Sequence, residues 1–398
     1  MDIILAVNAG SSSLKFQLFE MPSEKVLVSG LIERIGLEDS IFTMKKNGDK
    51  ISKVSDIKDH YQAVNILLDS LTAEKVVEKI SDITGVGHRV VHGGEYFSNS
   101  VLIDEIVKKS IYDVSNLAPL HNPVNLVGIE AFQELLPDAC QVAVFDTAFH
   151  QTMKESTYLY PLPYEYYEKY QVRKYGFHGT SHFYVSRRVA ELMDRDIKTL
   201  NLISIHLGNG ASITAIEDGK SVNTSMGFTP LAGIMMGTRT GDVDPAILPF
   251  IMEAENLTSK SVLDIFNHKS GMYGVSGISS DARDIIEAYD SGNERAALTL
   301  DMYANRVSEV IGSYFIKLGH VDALVFTGGI GENAVLIRQM IFDKISEAMG
   351  LDVNKDLNLE VMGLEKRLDE NDSKSEVWIV PTDEELVIAR DTYNISKD

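Results

Sequence analysis

Two stretches of this 398-residue chain, separated by almost half its length, carry one pattern. Ile4-Leu5-Ala6-Val7-Asn8-Ala9-Gly10-Ser11-Ser12-Ser13 and Leu202-Ile203-Ser204-Ile205-His206-Leu207-Gly208-Asn209-Gly210-Ala211 each run four strand-forming residues, a polar residue and a glycine loop. A second strand pattern follows each, over 16–20 and 212–217. The spacing predicts two related halves, each opening on a β-hairpin, although two unrelated hairpins would look alike locally. At roughly 100 to 200 residues per domain, the length agrees with two or three domains, each able to bury its own core.

Apolar or β-branched runs before Gly, His or Asp predict further strands at 85–91, 141–145 and 323–326. Helical periodicity lies between them, clearest over 297–318, where Met302, Tyr303, Val307, Val310, Ile311, Tyr314 and Phe315 recur near a 3.6-residue spacing. Strands alternating with helices after an opening hairpin predict α/β domains with mixed sheets. The polar stretch 352–376 reads as surface loops and short strands without chemistry.

Lys and Arg number 37 against 58 Asp and Glu, a net charge of -21. Such a field repels nucleic acid and anionic lipid, so neither is expected as a partner, and an anionic substrate must meet cations gathered locally. The single cysteine, Cys140, excludes an internal disulfide and a Cys-rich zinc site. No apolar run approaches the roughly 18 residues of a membrane span, and the short apolar N-terminus lacks a basic leader. A cytoplasmic location is the expectation.

Four small-residue loops offer anion sites. The first, Asn8 to Lys15 with Ser11, Ser12 and Ser13, presents backbone N–H groups, hydroxyls and an ammonium, without the spacing of a P-loop. A Ser-rich hairpin turn fits it equally well. The second is His206-Leu207-Gly208-Asn209-Gly210, whose weight comes from its pairing with the first. In the third, Gly328-Gly329-Ile330-Gly331-Glu332-Asn333 links an apolar strand to a helix pattern, a known nucleotide cradle and also an ordinary strand-to-helix turn. The fourth sets Arg239 among small residues, where its guanidinium either grips phosphate or carboxylate or pairs with Asp242 or Asp244.

Polar residues stand at unusual places around these loops. Arg89 lies inside an apolar strand, which costs free energy unless it is paired or faces a cleft. Asp146 ends the apolar run 141–145, where α/β sheets often carry a functional carboxylate or a turn cap. His121 and His178 sit between small or turn-forming residues, and no His pair has zinc-site spacing. Thr382 and Glu385 read as a capping box that opens a last helix, with Glu384 in its first turn.

Taken in order, the segments 8–15, 88–94, 120–123, 145–150, 176–182, 206–210, 224–230, 237–245, 328–333 and 381–392 resemble the acetate kinase family of the acetate and sugar kinase, Hsc70 and actin superfamily. The resemblance spans the whole chain. It implies two duplicated RNase H-like domains of the actin-like ATPase type, with mixed central sheets and nucleotide in the cleft between them. Residues 1–150 plus about 383–398 would form the N-terminal domain. Residues 151–382 would form the C-terminal one, carrying most nucleotide contacts and the interface of a homodimer.

The implied reaction is reversible, Mg2+-dependent transfer of the ATP γ-phosphoryl group to acetate, giving ADP and acetyl phosphate, with Mn2+ as a substitute ion. By the resemblance, Arg89, Asp146, His178 and Arg239 are catalytic. Arg89, Val91, Leu120, His121, Phe177 and Pro230 bind acetate, although plain core packing would account equally for Val91, Leu120, Phe177 and Pro230. Lys15, Ser11, Ser12, Ser13, His206, Leu207, Gly208, Asn209, Gly210, Asp281, Ala282, Arg283, Gly329, Ile330, Gly331, Glu332 and Asn333 bind nucleotide. Asn8 and Glu384 match the magnesium positions. Asn223, Ala232, Ala282 and Asp383 depart from the family's usual residues. The alternatives are a propionate kinase of the same family, which a residue smaller than Val91 would favour, and a non-catalytic, actin-like ATP-gated switch.

Overall fold

The computed structural model describes residues 2–119 and 121–397, so the acetate-pocket assignment of Leu120 lies outside the described residues. The chain divides into two compact units, 1–149 with 383–398, and 150–382. Unit 1 contains strands β1 (Asp2–Gly10), β2 (Ser13–Met21), β3 (Lys25–Glu33), β4 (Ser40–Lys46), β5 (Asp49–Ser55), β6 (Ile83–Val90), β7 (Val101–Leu102) and β8 (Cys140–Phe145). Unit 2 contains β9 (Asn201–Leu207), β10 (Ala211–Glu217), β11 (Lys220–Thr224), β12 (Ala323–Thr327), β13 (Lys366–Arg367) and β14 (Glu376–Ile379).

The sheet of unit 1 runs β5-β4-β3-β2-β1-β6-β8-β7, that of unit 2 β11-β10-β9-β12-β14-β13. Within them β3-β2-β1-β6-β8 and β11-β10-β9-β12-β14 have the same order and sense. Three antiparallel strands are followed by two parallel to the first. The half-length repeat is thus a repeat of topology. It holds at residue level, since Asn8 opposes Lys15 and His206 opposes Ser212 just before their turns.

Both faces of the unit 1 sheet are covered around β1 and β8, which explains why these two strands have apolar runs without alternation. Leu5 and Val7 join Leu14, Phe16 and Leu18 under the helix His60–Ala73, while Ile4 and Ala6 pack with Val142, Val144, Ile388 and Ala389. Ile388 and Ala389 belong to the last helix, Glu384–Ile395, which returns to unit 1. Gly87 makes that return possible. A Cβ there would stand 2.4 Å from Ile388 Cγ2 and 2.2 Å from Thr392 Oγ1.

Four expectations are corrected. The last helix is capped by Asp383, whose carboxylate accepts from Leu386 N at 3.0 Å, and not by Thr382. Thr382 N donates instead to Glu332 Oε1, which draws it away from the helix. Residues 328–333 are themselves a short helix, Gly328–Asn333, before the longer Val335–Met349. The stretch 352–376 contains a helix, Lys355–Glu360, capped by Asn354, besides its short strand. The helix of 297–318 begins earlier, as Glu294–Leu318, where Asn293 caps Ala296 N.

His88 faces the side of β6 away from the last helix, donating from Nε2 to Gln141 Oε1 at 2.7 Å beside Phe132. Burial lowers its pKa to about 4, the bond to Gln141 opposing only part of the shift. The unfolded chain takes up that proton near pH 6.5, while the folded chain resists it until about pH 4. Stability should fall as pH drops through this window, with His88 contributing about 1.4 kcal/mol per pH unit. Urea unfolding across the window reads the slope, which should be shallower in His88→Asn. An unchanged slope would remove His88 as its source.

Candidate active site

In unit 1 the carboxyl ends of β1, β6 and β8 lie side by side, the place where open α/β sheets bind ligands. Asn8 comes from β1, Arg89 from β6, Asp146 from just beyond β8, and Glu384 from the first turn of the last helix. Arg89 grips Asp146 side-on, Nη2 to Oδ2 at 2.5 Å and Nε to Oδ1 at 3.3 Å. Its Nη1 donates to Asn8 Oδ1 at 3.3 Å, and Nε lies 3.9 Å from Glu384 Oε2. Asp146 is thus an ion-pair partner and not a turn cap.

Electrostatics fixes the charges of this group unequally. Burial works to discharge Arg89, but Asp146, Glu384 and Glu385 outweigh it and raise its pKa, so it stays a cation. Burial and the neighbouring charge of Asp146 push Glu384 up to about 7, with Arg89 pulling the other way. Among the described residues no cluster of three His, Cys, Asp or Glu side chains offers a complete metal cage.

The backbone beside Arg89 is held by two asparagines of the helix Asn122–Leu135, which sequence reasoning missed. Asn125 accepts from Val91 N at 3.1 Å and donates to Ala9 O at 2.8 Å, and Asn122 exchanges bonds with the backbone of His92. Val91 is buried and His121 exposed. Lys15 pairs with Glu385, while Ser11 and Ser12 form the turn after β1 and Ser13 begins β2.

Unit 2 gathers a second group. His178 stands at the start of the helix Gly179–Leu192 with φ 55°, a left-handed conformation that costs a non-glycine residue about 1 kcal/mol. His178 and His206 stack with ring centroids 4.3 Å apart. Arg239 donates to Pro230 O at 3.2 Å and makes no ion pair among the described residues. Asp242 and Asp244, its possible partners on sequence grounds, accept from Gly233 N and Ala246 N instead. Phe177 is buried, its carbonyl bonded to His150.

His178 and Arg239 converge on Gly210. A Cβ on Gly210 would touch His178 Nε2 at 3.4 Å and Arg239 Nη1 at 3.5 Å. The missing side chain therefore leaves a space bordered by an imidazole edge and a guanidinium.

Next to this turn lies a cavity of about 750 Å³. Gly208, Asn209, Asp281, Ala282, Arg283, Gly329, Ile330 and Asn333 line it, together with Ser280, Ile286, Ala334 and Met362. The last four were missed by sequence reasoning. Ile286 follows Ala282 by one helical turn and was findable, whereas Met362 falls in a stretch without motif. His206, Leu207, Gly210, Gly331 and Glu332 do not line the cavity; Glu332 turns its carboxylate to Gly328 N at 2.9 Å. Asp281 caps the helix Ala282–Asp290 and pairs with Arg283 at 2.5 Å, a bond that lowers its pKa to about 2.

The wall containing Met362 depends on Arg338, fully buried and without a carboxylate partner among the described residues. It donates to the carbonyls of Gly331, Glu332, Asn358 and Val361 and to Asn358 Oδ1, at 2.8 to 3.1 Å. Burial lowers its pKa to about 10, which leaves it charged at neutral pH. One side chain thereby ties the short helix 328–333 to the segment preceding Met362.

A model of the acetokinase family matches residues 3–390. The chain belongs to the acetokinase family. It is 57% identical over 397 residues to the acetate kinase of Bacillus subtilis, with all of both chains covered. The crystal structure of Porphyromonas gingivalis acetate kinase superposes with a TM-score of 0.95 at 46% identity, covering 99% of this chain and 100% of that one. A propionate kinase from Francisella tularensis superposes at 0.93 with 41% identity and the same coverage. The family's fold and the duplicated sheet topology are therefore one observation seen twice. Among the described residues of this acetokinase-family chain, no helix is long and apolar enough to cross a membrane.

Gly210→Ala tests the space between His178 and Arg239 in this family member. The methyl group fits without a clash, so the unfolding midpoint should stay within a few degrees while turnover falls at least about tenfold. Unimpaired turnover would show that no reacting group occupies the space.

Proposed function

We propose that this chain is an acetate kinase, transferring the γ-phosphoryl group of ATP to acetate in a reversible, Mg2+-dependent reaction. The observation that carries the reading is Arg239, a cation without a carboxylate partner among the described residues, held beside His178 around the space at Gly210. A nucleotide switch has no use for such a group, whereas carboxylate phosphorylation does. Acetate is already ionised at neutral pH and needs no base; the barrier is repulsion between two anions. Two unit charges about 4 Å apart repel by about 4 kcal/mol at an effective dielectric of 20, roughly a thousandfold in rate.

In this reading Arg89 binds the acetate carboxylate, and Asp146 sets the plane of its guanidinium instead of moving a proton. Val91, Leu120, Phe177 and Pro230 surround the methyl group, with His121 in support. Arg239 and His178 Nε2 meet the transferring phosphoryl oxygens as charge and hydrogen bond. The cavity holds nucleoside and phosphates, with Gly208 to Gly210 and Gly329 to Asn333 supplying backbone N–H groups. Lys15 and Ser11 to Ser13 assist from unit 1.

Asn8 and Glu384 provide two oxygen donors flanking Arg89, a set suited to a hard cation that keeps waters and phosphate oxygens as its other ligands. When bound there, Mg2+ would offset phosphate charge. The exposed Phe250 and Ile316 of unit 2 support a homodimer through that unit.

Purified protein with Mg2+-ATP should form hydroxylamine-trappable acyl phosphate with acetate, and less with propionate. Propionate preference would move the reading to a propionate kinase, and no acyl phosphate with either acid would favour the switch. Arg239→Ala should lower kcat about a thousandfold while ATP still binds; near-normal turnover would end its assigned role. Glu384→Gln should raise the Mg2+ concentration needed for half-maximal rate at least about tenfold, with binding of metal-free ADP unchanged. An unaltered Mg2+ requirement would place the ion elsewhere.

A further inference from the structure

Behind His178 runs an unbranched chain of buried polar groups within unit 2. His178 Nδ1 lies 2.8 Å from Ser212 Oγ, Ser212 Oγ 2.8 Å from His182 Nε2, and His182 Nδ1 2.8 Å from Ser204 Oγ. Ser204, His182 and Ser212 are fully buried, and their side chains make no other hydrogen bond among the described residues. No step of the reaction described above uses them.

The protons of this chain can be placed by counting. A hydroxyl has one proton to give, and a neutral imidazole has one N–H and one bare nitrogen. His182 is neutral, because burial, reinforced by His150 and His206, keeps its pKa well below the usual 6.5. Ser204 has His182 as its one side-chain partner, and a buried donor without an acceptor costs about 1–3 kcal/mol. Ser204 therefore donates to His182 Nδ1. The remaining proton of His182 sits on Nε2 and goes to Ser212 Oγ. Ser212 then donates to His178 Nδ1, so that the N–H of the His178 ring lies on Nε2. That nitrogen borders the space at Gly210 opposite Arg239 Nη1.

We propose that Ser204, His182 and Ser212 are positioning residues whose one-way hydrogen-bond chain, ending 2.8 Å from His178 Nδ1, holds His178 as the Nε2–H tautomer facing the phosphoryl group. The inference rests on the role given to His178 above. The opposite tautomer would aim a lone pair at an anion. A carboxylate behind the ring, as in hydrolase triads, would accept from Nδ1–H and fix the opposite tautomer, and would also add negative charge near the phosphates. A chain of hydroxyls and a neutral imidazole orients the ring without charge.

The test combines a spectrum with a mutant cycle on the full chain. In 15N-histidine NMR of the unmutated protein, with His178 assigned by its loss in His178→Ala, His178 and His182 should both carry the proton on Nε2. A proton on His178 Nδ1 overturns the proposal, and this readout needs no folded relay variant. Ser212→Ala should lower kcat about tenfold to a hundredfold, with KM for ATP within about twofold. Added to His178→Ala, it should change kcat by less than about twofold, because its effect passes through His178. Equal losses in both backgrounds overturn the relay and leave the role of His178 standing. A His178→Ala enzyme of normal kcat overturns that role itself, and the relay with it.

Discussion

The ion pair between Arg89 and Asp146 joins the ends of β6 and β8, and much of unit 1 is arranged to make it possible. A guanidinium in a strand is costly unless its acceptors are fixed in advance. Asp146 supplies two of them from the neighbouring strand end and Asn8 a third from the other side. The asparagines of the helix Asn122–Leu135 hold the adjoining backbone at Val91 and Ala9. Because Gly87 admits the last helix closely, Glu384 reaches the same place. Arg89 is therefore held in one orientation by acceptors within unit 1.

Arg239 is held differently. Burial works against its charge, and its acceptors among the described residues are a carbonyl and a thioether sulfur rather than a carboxylate. A group prepared in this way keeps its electrostatic demand for an incoming anion, whereas Arg89 has largely satisfied its own.

What could be read in the sequence follows the range of the forces involved. Asn8, Arg89 and Asp146 stood out because a polar side chain inside or at the end of an apolar strand is locally anomalous. The duplicated hairpins stood out because β-pairing to a near neighbour leaves a short-range pattern. Arg338 was invisible as a support, since four carbonyls and an amide brought together from 331–361 give no periodic signal. Ser204 and Ser212 read only as small strand residues, and their meaning arises from His182, which the helix Gly179–Leu192 brings within hydrogen-bond distance of both. The start of the last helix was missed by one residue because Thr382 and Asp383 are both good caps, and a distant carboxylate, Glu332, decides between them.

The return of Glu384–Ile395 to the first sheet has a consequence for biosynthesis. Residues 150–382 have all been made before this helix exists, whereas the earlier-born unit lacks the cover over Ile4, Ala6, Val142 and Val144 until then. Birth order and completion order are thus reversed, against the usual tendency of N-terminal domains to finish first. A nascent chain that stalls before Glu384 would lack the cover of this sheet face.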